Sequence, residues 1–184
     1  MALTESNMLP IGTEAPDFTL PDTVSGEELT LEDLASNKAT VVMFICNHCP
    51  YVIHVNPEIK RLTDEYLAKG VSFVAISSND VENYPQDAPH LMNKLVEKEG
   101  FNFPYLYDES QAVARAYQAA CTPDFYIFDA ELKLAYRGQL DDSRPGNGIP
   151  VTGRDLRNAL DCLISGTEVT GNQLPSIGCN IKWK

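Results

Sequence analysis

Two short apolar runs, ATVVMFIC (39–46) and VSFVAIS (71–77), constrain most strongly what this chain can fold into. Continuous runs of β-branched and aromatic residues are typical of strands that are buried on both faces of a sheet. The segment between them, residues 50–69, carries apolar side chains at helical spacing, and Gly70 follows as a C-terminal stop. Strand, helix and strand in this order indicate a protein in which the two kinds of element alternate.

The rest of the chain continues this alternation. Further helices are predicted from a cap at Asp87 up to Gly100, over about 110–119, and from about Thr152 onwards. Two more strands, DFYIFD (124–129) and LKLAYRG (132–138), are joined tightly, and residues 17–30 with the turn PDTVSG predict a small N-terminal β-hairpin. The predicted fold is therefore an α/β layer sandwich with a central mixed β-sheet flanked by helices.

The chain has 184 residues, enough for one domain with a hydrophobic core, and no internal repeat or long linker divides it. We expect a single domain over 1–184, with residues 166–184 as a C-terminal tail. The net charge of −12 at pH 7 argues against nucleic acid and anionic membranes as partners. The N-terminal residues MALTESNMLPIG lack the basic and apolar regions of a signal peptide, so a soluble, cytoplasmic protein is expected, of open oligomeric state.

Two cysteines, Cys46 and Cys49, stand three positions apart in FICNHCPYV (44–52), between the first apolar run and the helical segment. Both sulfurs are therefore expected near a helix N-terminus, where N–H groups without partners and the helix dipole stabilise a thiolate. A protonated His48 would lower the thiol pKa further, and the spacing lets the second sulfur reach the first. In a reducing cytosol such a pair indicates redox work or metal binding.

Two other interpretations of the pair stay open at this point. One is half of a zinc site, but no second pair of Cys or His occurs at ligand spacing, and His48 and His54 are the nearby extra ligands. The other is a pair of small core residues, since cysteine is often buried for its apolar character. We expect neither a metal nor a cofactor.

Several motifs occur in a fixed order along the chain: IGTEAPDFTLPDT, LEDL, VVMFICNHCPYV, YDES, CTPDFYIFD and LKLAYRGQLDD. Together they resemble the thioredoxin-fold redoxins, which include peroxiredoxins of the alkyl hydroperoxide reductase/thiol-specific antioxidant family and membrane-anchored thiol reductases of cytochrome maturation. The resemblance spans residues 10 to about 165. It is greatest to a peroxiredoxin-like subgroup that keeps a Cys-x-x-Cys pair and ends in a tail of the GCNIKW type, and it implies a thioredoxin-like fold.

The resemblance assigns roles to both cysteines. In thioredoxins the first cysteine attacks a substrate disulfide and the second resolves the mixed disulfide, which gives these roles to Cys46 and Cys49. In peroxiredoxins the cysteine that reacts with peroxide stands where Cys49 does and is followed by a proline, as Pro50 follows here. The threonine of that family, three positions earlier, is replaced by Cys46.

Other positions depart from the peroxiredoxin pattern. An upstream proline of that family would fall at Val42, and its peroxide-activating arginine at Pro123. Pro123 instead resembles the cis-proline of thioredoxins, whose preceding residue, Thr122 here, pairs with a substrate strand. With His48, these two are the predicted substrate-binding residues. The buried aspartate of thioredoxins falls on Thr40, so the resemblance identifies no proton acceptor.

Disulfide exchange needs a thiolate, a resolving thiol and access, whereas peroxide reduction also needs donors that polarise the O–O bond. The sequence retains the first set, so the leading hypothesis is thiol–disulfide exchange through Cys46 and Cys49. Its partners would be protein or small-molecule disulfides and a thiol electron donor. The alternatives are a thiol peroxidase, with Cys49 as the residue that peroxide oxidises, and a redox sensor or adaptor without turnover.

Three more cysteines and one long loop complete the candidates. Cys121, beside Thr122, is expected to be a buried small hydrophobe near the pair, and Cys162 to be partly buried without a role. Cys179, in SIGCNIKWK, is either an incidental thiol or a third redox cysteine that docks on the pair. The connection 139–151 is a candidate binding loop or lid, although its charged residues are expected to serve solubility.

Overall fold

A mixed five-stranded β-sheet forms the centre of the protein in a computed structural model, which describes residues 3–184. The strands, in chain order, are β1 (Leu3–Glu5), β2 (Thr19–Pro21), β3 (Glu28–Thr30), β4 (Thr40–Phe44), β5 (Ser72–Ser77), β6 (Tyr105–Tyr107), β7 (Cys121–Thr122), β8 (Asp124–Phe128), β9 (Leu134–Gly138) and β10 (Ile177–Asn180). The helices are α1 (Leu31–Leu34), α2 (Pro50–Leu67), α3 (Pro89–Glu99), α4 (Ala112–Ala116) and α5 (Arg154–Ser165), with a 3-10 helix over Pro85–Asp87.

The strand order of the central sheet is β6-β5-β4-β8-β9. β4 and β5 are parallel, as are β5 and β6, while β8 is antiparallel to both β4 and β9. Every residue of β4 is buried, as its continuous apolar sequence predicts for a strand covered on both faces. The predicted mixed sheet is confirmed, and so is the N-terminal hairpin, in which β2 pairs antiparallel with β3.

Two apolar clusters fill the space on the two faces of the sheet. Val41 and Met43 belong to the first cluster and the residue after each belongs to the second, because side chains alternate along a strand. The first cluster contains the buried faces of α2, α3 and α5, and the second contains residues of α1, α4 and the N-terminal hairpin. Within residues 3–184, none of the helices is both long enough and apolar enough to cross a membrane.

Asp87 is not the cap of a helix, which corrects one prediction. The N-cap of α3 is Ala88, and Asp87 ends the 3-10 helix that precedes it. Pro89 occupies the first turn of α3, where its missing N–H leaves no partner unsatisfied. The Asp87 side chain is directed instead to the loop that follows β4, where it accepts a hydrogen bond from the backbone of Asn47.

A second, three-stranded sheet with the order β1-β10-β7 holds the C-terminal segment. β10 pairs antiparallel with β1 on one side and with β7 on the other. Residues 166–184, expected to be a tail, therefore contain a strand between two neighbours. Strands of two to four residues, such as β7 and β10, are too short to show a hydrophobic period in the sequence.

Candidate active site

The predicted cysteine pair lies in the loop between the end of β4 and the start of α2. Cys49 is the N-cap residue of α2, and Pro50 follows in the first turn. Proline is favoured there because its fixed φ suits a first helical turn and its missing N–H needs no acceptor. Cys49 therefore stands directly at the positive end of the helix dipole, and Cys46 stands three residues before it.

Three sulfur atoms meet at this point. Cys49 Sγ is 2.8 Å from Cys179 Sγ, and the thiol of Cys46 forms a hydrogen bond with Cys49. A separation of 2.8 Å is longer than the ~2.05 Å of an S–S bond. It is nevertheless much shorter than the van der Waals contact distance between two sulfur atoms. Cys49 thus has two neighbouring thiols, either of which is near enough to become its disulfide partner.

The three thiols differ in acidity. The pKa of Cys49 is lowered to about 5, chiefly by the hydrogen bond from Cys46, with Cys179 as a further donor and burial acting in the opposite sense. The same hydrogen bond, burial and the charge of Asp87 raise the pKa of Cys46 well above its usual range. Burial raises the pKa of Cys179 to about 12. The direction of these shifts favours a thiolate on Cys49 over one on Cys46, and the prediction of a lowered pKa for both sulfurs is wrong for Cys46.

The sulfurs of the pair have no open path to solvent. Cys46 is 1% exposed, Cys49 0% and Cys179 3%. A cleft beside Pro123 has a volume of only about 10 Å³, enough for roughly one water molecule. Two larger cavities, of about 510 and 560 Å³, are lined by residues outside the site. A disulfide can reach Cys49 only after a covering segment has moved.

Thr122 and Pro123 lie against the pair, as the resemblance implies. The Thr122–Pro123 peptide bond is cis. Thr122 Oγ1 is 3.4 Å from Cys46 Sγ, and Cys49 Sγ is 3.3 Å from the Thr122 carbonyl oxygen. One residue of β7 therefore contacts both sulfurs, with its side chain and its backbone respectively. Its position in the ladder is opposite Cys179 of β10.

A fully buried carboxylate, Asp87, organises the loop of the pair. Its Oδ1 accepts a hydrogen bond from the backbone N–H of Asn47 at 2.8 Å and a longer one from that of His48 at 3.3 Å. Its Oδ2 accepts from Asn79 Nδ2 at 2.8 Å and lies 2.6 Å from His48 Nδ1. The His48 ring stacks on Tyr84 with 5.7 Å between centroids. Asp87 thus fixes both residues between the cysteines, a role for which the sequence offers no signal beyond a polar residue in a loop.

The same residues raise the question of a metal. One donor atom each from Cys46, His48 and Asp87 lies within 4.8 Å of the other two. Such a set has the chemistry of three zinc ligands. His48 Nδ1 and Asp87 already bind each other, and the remaining capacity of Asp87 is taken by amide donors. His48, predicted to bind substrate, has a side chain that is 17% exposed.

Cys121 and Cys162 lie outside the sulfur cluster. Cys121 is fully buried, and its sulfur points to the carbonyl oxygens of Pro123 at 3.8 Å and Ser176 at 3.9 Å. Burial raises the pKa of Cys121 far above its usual range. Cys162 is half-buried on α5. Both cysteines have the burial that the sequence predicts for packing residues.

The loop 139–151 is folded by its own charged residues. Asp141 is buried and accepts hydrogen bonds from three backbone N–H groups at 2.6–2.8 Å. Arg144 Nη1 donates to the carbonyl oxygens of Asp141 and Ser143. The expectation that these charges serve solubility is wrong for Asp141 and Arg144, because their hydrogen bonds are internal. The Asp142 side chain is 42% exposed and pairs with Arg154.

The family follows from a comparison with known proteins, in which residues 11–137 match the model of the AhpC/TSA family. The chain belongs to the AhpC/TSA family. This AhpC/TSA protein is 28% identical over 140 residues to the thiol-disulfide oxidoreductase ResA of Geobacillus kaustophilus (strain HTA426), covering 74% of this chain and 75% of that protein. It is 27% identical over 132 residues to ResA of Geobacillus thermodenitrificans (strain NG80-2), covering 71% and 70%. The prediction of a thiol-dependent oxidoreductase is confirmed at the level of the family and its named relatives.

Solved structures share the fold of this AhpC/TSA protein. A crystal structure of an uncharacterized conserved protein from Geobacillus kaustophilus has a TM-score of 0.99 and 61% identity, covering 100% of this chain and 97% of that one. A hypothetical protein from Sinorhizobium meliloti 1021 has a TM-score of 0.96 and 46% identity, covering 98% of both. The thioredoxin domain of a thiol-disulfide oxidoreductase from Bacteroides vulgatus, at 19% identity, has a TM-score of 0.57 and covers 71% of this chain and 89% of that one. The predicted thioredoxin-like fold is confirmed.

Proposed function

We propose that the protein is a thiol–disulfide oxidoreductase in which Cys49 is the attacking thiolate and Cys46 the resolving thiol. The observation that carries this proposal is the position of Cys49 at the start of α2, in contact with the thiols of Cys46 and Cys179. The order of the two roles is the reverse of that implied by the resemblance to thioredoxins. The reason is that the lowered pKa belongs to the second cysteine of the pair.

In the first step the Cys49 thiolate attacks one sulfur of a substrate disulfide. A mixed disulfide forms between Cys49 and the substrate, and the second substrate sulfur leaves as a thiolate. A pKa of about 5 keeps Cys49 ionised at neutral pH, so this step needs no base. The relatives named as thiol-disulfide oxidoreductases support a disulfide as the substrate.

In the second step Cys46 attacks the Cys49 sulfur and expels the substrate as a thiolate. Cys46 must first lose its proton, and we assign Asp87 with His48 as the acceptor through one bridging water, because a side-chain O or N atom of each lies within 4.8 Å of the Cys46 sulfur. Bond formation at Cys49 also removes the thiolate whose hydrogen bond raises the Cys46 pKa. The proton is passed to the departing substrate thiolate. A dithiol donor then reduces the Cys46–Cys49 disulfide and is itself oxidised.

Cys179 is a second candidate for the resolving step. Its sulfur lies 2.8 Å from that of Cys49, so it can attack the mixed disulfide and leave a Cys49–Cys179 disulfide. Its pKa is raised, as that of Cys46 is, so it too must lose a proton before it attacks. We assign it as a third redox cysteine that can take the place of Cys46 in resolving the Cys49 mixed disulfide.

Reduction of insulin by dithiothreitol tests these roles. Cys49→Ser should abolish the catalysed rate. Cys46→Ser should slow it and accumulate a disulfide of Cys49 with the substrate or with Cys179, which mass spectrometry of unreduced peptides distinguishes. Cys162→Ser is the matched control, since Cys162 is half-buried on α5 outside the cluster, and it should keep the wild-type rate. Wild-type turnover by Cys49→Ser would refute the assignment.

A thiol peroxidase is the second candidate, because the thiolate lies on Cys49, the position at which peroxiredoxins are oxidised. Hydrogen peroxide would oxidise Cys49 to a sulfenic acid with loss of hydroxide. In a Cys46→Ser, Cys179→Ser double variant, in which neither neighbouring thiol can condense with the sulfenic acid, dimedone should show that Cys49 is oxidised faster than a simple thiol at equal thiolate concentration. Oxidation of Cys49 no faster than that of the simple thiol would rule out the peroxidase function.

The cytoplasmic location expected from the sequence stays a prediction.

A further inference from the structure

The C-terminal strand β10 covers the strand edge beside the thiols. In its pairing with β7, Cys179 lies opposite Thr122 and Asn180 lies opposite Cys121. The backbone that precedes Pro123 therefore has its hydrogen-bonding edge filled by a segment of the same chain. Any extended molecule that pairs with Thr122 must take the place of β10.

The approach of β10 to β7 is so close that it requires glycine. An added Cβ at Gly178 would lie 2.0 Å from the carbonyl oxygen of Thr122 and 2.7 Å from its carbonyl carbon. Both are backbone atoms, which cannot move aside by a change of rotamer. A larger residue at position 178 must therefore push β10 away from β7.

The same strand brings a sulfur to the reactive cysteine. Cys179 Sγ is 2.8 Å from Cys49 Sγ, the place that a substrate sulfur must occupy when the Cys49 thiolate attacks it. Cys49 is completely buried beneath this arrangement. β10 therefore has two features that an extended substrate would need, a backbone in register with Thr122 and a sulfur in contact with Cys49.

We propose that β10 is a built-in occupant of the substrate edge and that an extended, cysteine-containing polypeptide replaces it before Cys49 reacts. This inference rests on the proposed thiol–disulfide exchange and specifies its substrate class. Main-chain pairing accepts many sequences, and an incoming strand regains the hydrogen bonds to β7 that β10 gives up. A small disulfide such as oxidised glutathione offers no strand to replace them.

Gln111 anchors the residues that directly follow β10 in the chain. Gln111 Nε2 donates to the Lys182 carbonyl oxygen at 2.8 Å, and Gln111 Oε1 accepts from the Lys184 N–H at 3.0 Å. Gln111 has a positive φ of 63°, which asparagine tolerates well. Gln111→Asn therefore keeps the backbone conformation, shortens the side chain and weakens the anchor without touching a sulfur.

The rate of Cys49 alkylation by iodoacetamide at pH 7 tests the proposal, with peptide mapping to locate the label. Gly178→Ala should raise this rate at least about tenfold, because the local opening that exposes Cys49 becomes more frequent. Gln111→Asn should raise it by a smaller factor, and it carries the test if Gly178→Ala does not fold. Leu174→Ala, at an exposed position before β10, is the control and should leave the rate unchanged. Hydrogen exchange should show faster exchange of the β7 and β10 amides in the first two variants.

A second arm compares substrates. The wild-type protein should form the mixed disulfide faster with an extended disulfide-containing peptide than with oxidised glutathione, and Gly178→Ala should narrow this difference. Unchanged Cys49 alkylation in both variants, unchanged protection of β10 in Gly178→Ala, or equal rates for the two disulfides in wild type would overturn the proposal. If Cys49 formed mixed disulfides equally fast in wild type and in all variants, the proposal for β10 would fail and the proposed thiol–disulfide exchange would stand. If no disulfide modified Cys49 in any variant, both proposals would fail.

Discussion

Two fully buried aspartates, Asp87 and Asp124, have opposite surroundings. Asp124, the residue after Pro123, lies 3.1 Å from the guanidinium of Arg137, which is also fully buried. Asp87 instead bonds to His48 and to amide donors. A guanidinium keeps its proton at every physiological pH, whereas a histidine exchanges one near neutrality. We therefore expect the Asp124 pair to serve the fold and the Asp87 pair to serve the proposed chemistry.

Each aspartate also has a cysteine nearby. The charge of Asp87 acts on Cys46, and the charges of Asp124 and Arg137 act on Cys121. Cys46 contacts the thiolate of Cys49, whereas the sulfur of Cys121 points to backbone carbonyl oxygens. The two clusters therefore have similar components but different surroundings. The sulfur of the Asp87 cluster contacts the reactive Cys49, whereas the sulfur of the Asp124 cluster faces backbone carbonyl oxygens.

Replacement of Arg137, the permanent cation, should have the largest effect on the stability of the protein. We expect Arg137→Met to lower the free energy of unfolding at pH 8 by about 3–5 kcal/mol, because Asp124 loses its partner and must either stay charged in a buried site or take up a proton on folding. Chemical denaturation measures this loss. Alkylation of Cys49 in the folded variant should be unchanged, and a stability within about 1 kcal/mol of wild type would contradict the structural role of the pair.

The loss should depend on pH with a defined sign. Burial raises the pKa of Asp124 to about 6 even against the opposing effect of Arg137, so removal of the cation raises it further. The folded variant then keeps a proton on Asp124 that the unfolded chain releases near its ordinary pKa of 3.8. Its stability must fall as pH rises through the folded pKa. Arg137→Met should therefore be less destabilising at pH 5 than at pH 8, and the reverse trend would refute this account.

Removal of the other carboxylate should affect chemistry more than stability. Asp87→Asn keeps the size of the side chain but takes away the proton acceptor for Cys46, so the resolving step should slow by about 10²-fold. Stopped-flow release of a thiol from a preformed Cys49 mixed disulfide measures this step. The residual rate should rise about tenfold per pH unit, as expected when solvent takes the proton.

Asp142→Asn, at a half-exposed position outside the sulfur cluster, is the matched control for that variant. It should leave both the rate and its pH dependence unchanged. An Asp87→Asn protein that resolves the mixed disulfide as fast as wild type, with the wild-type pH profile, would show that Asp87 only shapes the loop.

The sequence predicts part of the cluster that contains Cys46 and Asp87, and very little of the cluster that contains Asp124 and Arg137. The runs around β4 and β5 predict the central sheet, and the order of motifs places Cys46 and Cys49 near Thr122. Asp87 lies 40 residues from the loop that it holds, and Cys179 lies 130 residues from Cys49. Contacts at such separations leave no periodic pattern in one sequence. The division of acidity between Cys46 and Cys49 also escapes sequence reasoning, because it depends on which sulfur accepts the hydrogen bonds.

The acidity of Cys49 provides a test of intermediate size. Its pKa of about 5 predicts an alkylation rate that is nearly constant from pH 6.5 to 8.5 and falls about tenfold per pH unit below 5. Iodoacetamide labelling across this range, normalised to a simple thiol, gives the midpoint. A midpoint near 8.5 would mean that the hydrogen bonds of the sulfur cluster do not stabilise the thiolate. Cys46→Ser keeps a hydroxyl donor and should shift the midpoint upward by less than Cys46→Ala.

The smallest effect is expected at Cys121, the sulfur of the structural cluster. In Cys121→Ser the new hydroxyl can donate to the carbonyl oxygen of Pro123 or Ser176, both of which the sulfur already faces. We therefore expect a stability change of about 1 kcal/mol or less and turnover within about twofold of wild type. Cys179 belongs to the neighbouring residue pair of the same β7–β10 ladder. Cys179→Ser should instead raise the pKa of Cys49, because the shorter Cβ–O bond holds the hydroxyl donor farther from Cys49 Sγ than the thiol was. If Cys121→Ser moved that pKa as much as Cys179→Ser does, burial in the β7–β10 region would control the thiolate, and the distinction between the two clusters would fail.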